Sequence, residues 1–172
     1  FSYPVEKNGT VVLTDISDQV IESFHNLGAD VLIAVGGVGT LRIAQDLFEK
    51  GLPVIGVPKT IDNDLQATDV TFGYRTAVAI VTEALDRLHS TAESHSRVMV
   101  VEVMGRDAGW IALESGIAGG ADAILIPEVP FSVPDLCQAI RNRSERGSRF
   151  SIVVVAEGAI AVDGEKILPR WH

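Results

Sequence analysis

Cysteine is almost absent. Cys137 stands alone among 172 residues, so the chain can form no internal disulfide, and a reducing cytoplasm suits it. Its place at an apolar helical spacing reads as core rather than as a reactive thiol. The four histidines show no metal-ligand spacing, and nothing resembles a Ser–His–Asp set. No apolar run reaches the length of a bilayer span, and no signal peptide is visible. Positive charge is also scarce: 14 Lys and Arg face 23 Asp and Glu, for a net charge of −9. A chain without a basic surplus is poorly suited to nucleic acid or an anionic membrane. An anionic small molecule, which feels local charge, stays open.

What is present is an apolar framework. Hydrophobic residues make up 47% of the chain, enough for one domain with a full core and too many for a disordered segment. The sequence begins at Phe1 in "FSYPV" rather than at methionine and stops soon after a strand, so a fragment is expected. Short continuous apolar runs read as strands buried on both faces: 30–35, 53–57, 97–103, 123–127 and 150–156, with 10–15 a weaker candidate. Amphipathic helices alternate with them. Val20, Ile21, Phe24 and Leu27 share a face in 17–27, with Ser17 as cap; Leu41, Ala44, Leu47 and Phe48 share one in 39–50. A long helix over 72–91 turns Ala77, Ile80, Val81, Ala84, Leu85 and Leu88 inward. A shorter one covers 109–118. Another starts near Pro134, buries Leu136, Ala139 and Ile140, and stops at Gly147. The alternation predicts an α/β three-layer sandwich with a mainly parallel sheet, and 1–172 reads as a single lobe.

In such sheets ligands bind beyond the carboxyl ends of the strands. After 30–35 comes "GGVGT" (36–40). Gly36, Gly37 and Gly39 let the backbone approach a phosphate, and the next helix points its amides there, with Thr40 in its first turn. The plain alternative is a strand-to-helix turn that merely needs glycine. After 53–57 comes "GVPKTIDNDLQATD" (56–69), which sets Lys59 beside Asp62, Asp64 and Asp69. Like charges so close favour no fold, but a carboxylate can take a proton from an attacking hydroxyl. A second acid can help hold Mg²⁺, and a lysine can neutralise phosphate charge. A solvated, helix-capping turn is the competing account. After 97–103 comes "MGRDAGW" (104–110), where Gly105 permits close approach and Arg106 offers a fork of donors to phosphate oxygens. A surface pair with Asp107 would explain Arg106 more simply. Glu157 and Gly158 follow the last strand, and His95 and Arg97 flank the start of the third.

At these residues the sequence resembles the 6-phosphofructokinase family. "PKTIDND" (58–64) is close to a family signature. "SHSRVMVVEVMGRDAGWIAL" (94–113) matches the segment with the MGR motif, and "VVVAEGA" (153–159) matches the strand that delivers a substrate-binding glutamate. "GGVGT" resembles the "GGDGT" nucleotide loop. The resemblance runs along essentially the whole chain in family order. It implies phosphorylation of fructose 6-phosphate at its 1-hydroxyl, with ATP or pyrophosphate as donor, Mg²⁺ as cofactor, and a homo-oligomer, tetramer or dimer. By the same resemblance Asp62 falls on the general base, and Thr60 on a contact to the transferring phosphoryl group and sugar. Arg106 falls on a stabiliser of developing charge, and Lys59 faces the donor phosphates. Ile61, Met104, Gly105 and Glu157 fall at sugar-phosphate contacts. Gly36, Gly37, Gly39 and Thr40 fall in the nucleotide loop, and Asp64 at the metal. Arg97 falls on an arginine that reaches the sugar 6-phosphate across a subunit interface.

Three departures stand out. Val38 replaces an acid that usually helps bind Mg²⁺, and its isopropyl group offers no oxygen. The family's N-terminal strand and glycine-rich loop, and the rest of its second lobe, are missing. Arg75 in "TFGYRTA" sits where many relatives carry an acid. Two expectations follow: a phosphofructokinase, or a fragment of one; or a non-catalytic sugar-phosphate-binding or regulatory relative that lost its metal acid. Gly39, having no side chain, favours ATP over pyrophosphate, because an acid there in pyrophosphate users crowds the nucleotide.

Overall fold

The computed structural model describes residues 2–7 and 10–162. The structure falls into two compact units, Phe1–Lys59 and Thr60–His172.

The first unit opens with a hairpin. Strand β1 (Ser2–Lys7) pairs antiparallel with β2 (Thr10–Asp15), in register from Ser2 opposite Asp15 to Lys7 opposite Thr10. β1 carries Pro4 and lies outside the expected strands; a two-stranded ribbon has free edges, where a missing amide is tolerated. Helix α1 (Ser17–Asn26) follows. Ser17 is not its side-chain cap as expected. Asp15 takes that part instead, its Oδ1 accepting the Ser17 amide at 2.9 Å. Strand β3 (Leu32–Gly36), helix α2 (Val38–Glu49) and strand β4 (Val54–Thr60) complete a βαβ pattern. β3 and β4 run parallel, with Leu32 opposite Val54 and Gly36 opposite Pro58. Ala44 and Leu47 of α2 are buried, but Phe48 and Leu27, expected inward, are exposed. Leu27 lies just past α1, at its C-cap, and Phe48 lies in the last turn of α2.

The second unit holds the two-residue strand β5 (Phe72–Gly73), α3 (Tyr74–Ser94), β6 (Val98–Val103), α4 (Trp110–Ala118), β7 (Ala123–Leu125), α5 (Val133–Glu145) and β8 (Ser151–Ala156). Its sheet has the order β6-β8-β7, parallel throughout. One face packs Tyr74, Val78 and Leu85 of α3 and Ile111 and Ala112 of α4 against Val103, Ile152, Val154 and Ala156. The other sets Leu136 and Ile140 of α5 against Leu125, Val153 and Val155. This is the expected layering: helices, parallel sheet, helix.

The pattern of burial corrects several expectations. Among the described strands only β8, central in its sheet, is buried at every residue. Ile33 and Val35 in β3, Ile55 in β4, and Val98 and Val100 in the edge strand β6 are exposed, so those strands are covered on one face, not two. In α3 the buried line runs through Tyr74, Val78, Leu85 and Ala92. Ile80 is 62% exposed and Ala84 is exposed too, because both lie off that line. Cys137 is exposed rather than core, as is Ala139; α5 meets the sheet only through its Leu136–Ile140 edge.

Candidate active site

Register brings two loops to one edge of the second unit's sheet. Val103, the last residue of β6, pairs with Ala156, the last of β8, so Met104–Arg106 and Glu157 leave the sheet side by side. The Glu157 amide donates to the Val103 carbonyl at 2.9 Å. Its Oε1 then accepts from the amides of Gly105 at 3.1 Å and Arg106 at 2.6 Å. A carboxylate closing on two successive amides fixes a tight loop, and the loop's backbone requires it: φ is +147° at Gly105 and +53° at Arg106. A Cβ on Gly158 would stand 2.2 Å from the Arg106 carbonyl oxygen, so only glycine fits under that turn. Arg106 itself is exposed, as is Met104.

The segment following β4 is folded back by Thr71. Its hydroxyl donates to the Thr60 carbonyl at 2.7 Å, and its amide to Asn63 Oδ1 at 2.9 Å. Asn63 is left-handed at φ +53°, a conformation its short amide side chain tolerates. Thr71 is 2% exposed, so this brace is shielded from water. Between the two anchored positions lies Asp62, 8% exposed, its amide donating to Thr60 Oγ1 at 3.2 Å. Burial pushes its carboxyl above the usual carboxylate range, and the neighbouring Asp64 charge adds to that; Thr60 and Arg106 pull the other way, and Glu157 raises it again. Asp62 therefore shares a local field with Asp64, Arg106 and Glu157, four residues that the sequence reading singled out. Asp64 is exposed.

Arg97 is not part of this cluster. It precedes β6, whose six residues run about 20 Å at strand rise, and so sits at the opposite end of that strand from Arg106. In the first unit, α2 starts directly after Gly37 with no side-chain cap, leaving its first-turn amides open to an anion. Gly36 is needed for packing, since a Cβ would meet the Thr40 side chain at 2.4 Å. Gly39 is exposed and a Cβ there would meet nothing within 4 Å, so local packing does not demand glycine. Lys59 is exposed, and Val38 is half-buried at the helix start.

The Phosphofructokinase family model matches residues 5–169. The chain belongs to the phosphofructokinase family. It is 57% identical over 171 residues to the ATP-dependent 6-phosphofructokinase 2 of Clostridium perfringens, covering 99% of this chain and 47% of that protein. Among solved structures, phosphofructokinase from Saccharomyces cerevisiae superimposes with a TM-score of 0.76 at 39% identity, over 84% of this chain and 22% of that one. The pyrophosphate-dependent phosphofructokinase from Marinobacter aquaeolei gives 0.73 at 30% identity, over 84% and 41%. The chain thus spans about half the length of the curated relatives it matches.

Some contacts around the candidate site could not be reached from motifs. Thr71, which bonds Thr60 and Asn63, and the buried Tyr74, which bonds Glu114, carry no spacing signal; Tyr74 reads as one more apolar residue on a helix. Arg75, without an account in the sequence, pairs with Glu114. Among the described residues no group of three or more His, Cys, Asp or Glu is placed to hold a metal, and no helix is long and apolar enough to cross a membrane. The acids present fit a Mg²⁺ ion of the kind that arrives with phosphate oxygens and takes one or two carboxylates. They do not form a cage of their own.

Proposed function

We propose that this chain carries the phosphoryl-transfer centre of a cytoplasmic 6-phosphofructokinase that phosphorylates fructose 6-phosphate at its 1-hydroxyl with ATP. The observation that carries the reading is Asp62: a shielded carboxylate beside an arginine, with affinity for a proton raised by its surroundings. In this reading Asp62 receives the proton of the 1-hydroxyl as that oxygen attacks the phosphoryl group. Arg106 faces the negative charge that develops on the phosphoryl oxygens, and Thr60 orients the group from the other side. Ile61, Met104, Gly105 and Glu157 shape the sugar-phosphate side, and Glu157 does so with its loop already clamped. Gly36, Gly37, Gly39 and Thr40 at the start of α2 receive the donor phosphates, with Lys59 as a further cation. Asp64 is the residue that would hold Mg²⁺, which when bound neutralises phosphate charge.

ATP is favoured as donor because Gly39 keeps side-chain volume out of the nucleotide loop without being required there by packing. The ATP-dependent relatives at 54–58% identity agree with that choice. Arg97, remote from the cluster along β6, suits a sugar-phosphate contact made in a homo-oligomer, tetramer or dimer. A coupled assay of the full-length protein with fructose 6-phosphate and Mg²⁺, comparing ATP with pyrophosphate, tests the reading. Turnover with ATP is expected. Preference for pyrophosphate would overturn the donor, and no turnover with either would overturn the activity.

A further inference from the structure

Tyr74 joins the first turn of α3 to the first turns of α4. Its ring is 3% exposed. Its hydroxyl donates to Oε2 of Glu114 and lies 3.3 Å from the Trp110 carbonyl oxygen. Arg75 pairs with the other oxygen of Glu114 and sits 5.7 Å over the Tyr74 ring. Burial and the Glu114 carboxylate push the phenol up to about 12, so it stays a donor throughout the working pH range.

Each end of this link leads to one loop of the candidate site. The Tyr74 amide donates to the Thr71 carbonyl at 3.3 Å, and Thr71 is the residue that braces Thr60 and Asn63 on either side of Asp62. At the other end, Trp110 is the first residue of α4, directly after the turn in which the Ala108 amide donates to Gly105 at 3.0 Å around Arg106. Apolar packing of two helices leaves freedom to slide and rotate, whereas a directional bond to a carboxylate and a carbonyl fixes their register. We infer that Tyr74 and Glu114 are positioning residues that set the loop of Asp62 against the loop of Arg106. This rests on the reading of Asp62 and Arg106 as base and charge stabiliser. Neither Tyr74 nor Glu114 touches the reacting atoms.

The test is made in the full-length protein with Tyr74→Phe, Glu114→Ala and Glu114→Gln. Loss of alignment at a reacting centre can cost up to about 100-fold. Tyr74→Phe should therefore lower kcat by ~10-fold or more while KM for fructose 6-phosphate changes little. Glu114→Ala should fall likewise, and the Tyr74→Phe/Glu114→Ala pair by less than the two losses combined, since both remove the phenol–carboxylate bond they share. Glu114→Gln, which keeps an acceptor for the phenol, should recover part of the rate lost in Glu114→Ala. The acid limb of kcat should move to higher pH in Tyr74→Phe as Arg106 draws away from Asp62. Independently of activity, hydrogen exchange should quicken at the amides of Thr71 and Ala108 in Tyr74→Phe and not across the core. An unchanged kcat in an active enzyme, or unchanged exchange at both loops, would overturn the proposal. So would a fall in kcat accompanied by equal loss of protection in β8, which would assign Tyr74 to general stability. A wild-type protein inactive on fructose 6-phosphate would sink the proposed activity, while the exchange result would still decide whether the link exists.

Discussion

Asp62 shows how a single residue can oppose the fold, and the proposed reaction would give it a use. Its pKa is raised in the folded state, with burial as the largest cause. The folded protein therefore holds this proton more tightly than the unfolded chain does. The stabilisation from that proton is complete below the unfolded pKa and is lost as pH rises through the folded one. At neutral pH the ionised side chain then disfavours folding. Asp62→Asn should raise the melting temperature at pH 7 and leave it nearly unchanged below the ordinary carboxylate pKa, where both side chains are neutral. Thermal denaturation at the two pH values checks this, and equal shifts at both would contradict the burial account. In the full-length enzyme the same change should cut turnover by about 10²- to 10⁴-fold, the usual loss with a general base, while sugar-phosphate binding persists. The acid limb of kcat in the wild type should lie above the ordinary aspartate range. Val38 poses the converse case. By the family resemblance it puts an apolar side chain at the position of a metal acid, so under the proposed function Val38→Asp should raise the rate at limiting Mg²⁺; no gain would remove the metal argument. The residues proposed to carry the chemistry could be singled out because proton transfer and phosphate contact need particular groups at strand ends. Thr71, Tyr74 and Glu114 could not, because a brace can be built from many residue types and shows only in its contacts.

Among elements, the helices and the strands other than β1 and the two-residue β5 were legible in order and type. The run 150–156 became β8 and is buried throughout; "RVMVVEV" became β6, yet exposes Val98 and Val100. Composition could not separate them, because burial on the second face depends on what lies beside a strand, which the strand's own residues do not encode. Helix faces failed for a related reason. A stripe in α3 wide enough to include Ile80 and Ala84 is apolar, but one sheet face covers only about a third of a helix. The loop geometry between β6 and α4 was half legible: Gly105 could be expected to allow close approach, but the clamp from Glu157 needed the parallel register to bring it alongside. That clamp predicts the effect of Gly158→Ala. A methyl group there would meet the Arg106 carbonyl oxygen at 2.2 Å, against backbone that cannot swing aside. The loop must shift, costing roughly 1–3 kcal/mol of stability, as overpacking does, and Arg106 moves with it. Activity in the full-length protein should therefore fall by more than the loss of folded protein accounts for. Wild-type activity per folded molecule would show that the loop tolerates displacement.

At the scale of the whole molecule, chemistry and completeness part company. The second unit gathers Thr60, Asp62, Arg106 and Glu157 by contacts of its own, and no residue of the first unit is needed to explain those contacts. Yet the chain spans only about half the length of its curated relatives, and a series of large apolar side chains stands in solvent: Ile33, Val35, Ile55, Val98 and Val100 are 48–66% exposed. Apolar sheet faces of that kind drive association or bind hydrophobic probes. The 172-residue chain alone should bind an environment-sensitive dye more strongly than the full-length protein does, mole for mole, and should turn over fructose 6-phosphate negligibly. Phosphoryl transfer depends on positioning and on preorganised charge around both substrates, and a base with its arginine supplies only part of that. Lys substitutions at Val98 and Val100 should weaken dye binding by the chain without altering the Thr71 and Glu157 hydrogen bonds, read as amide protection at Thr71, Gly105 and Arg106. If the isolated chain phosphorylated fructose 6-phosphate at ordinary kinase rates, the cluster around Asp62 would be a sufficient catalyst, and the dependence on further chain would be refuted.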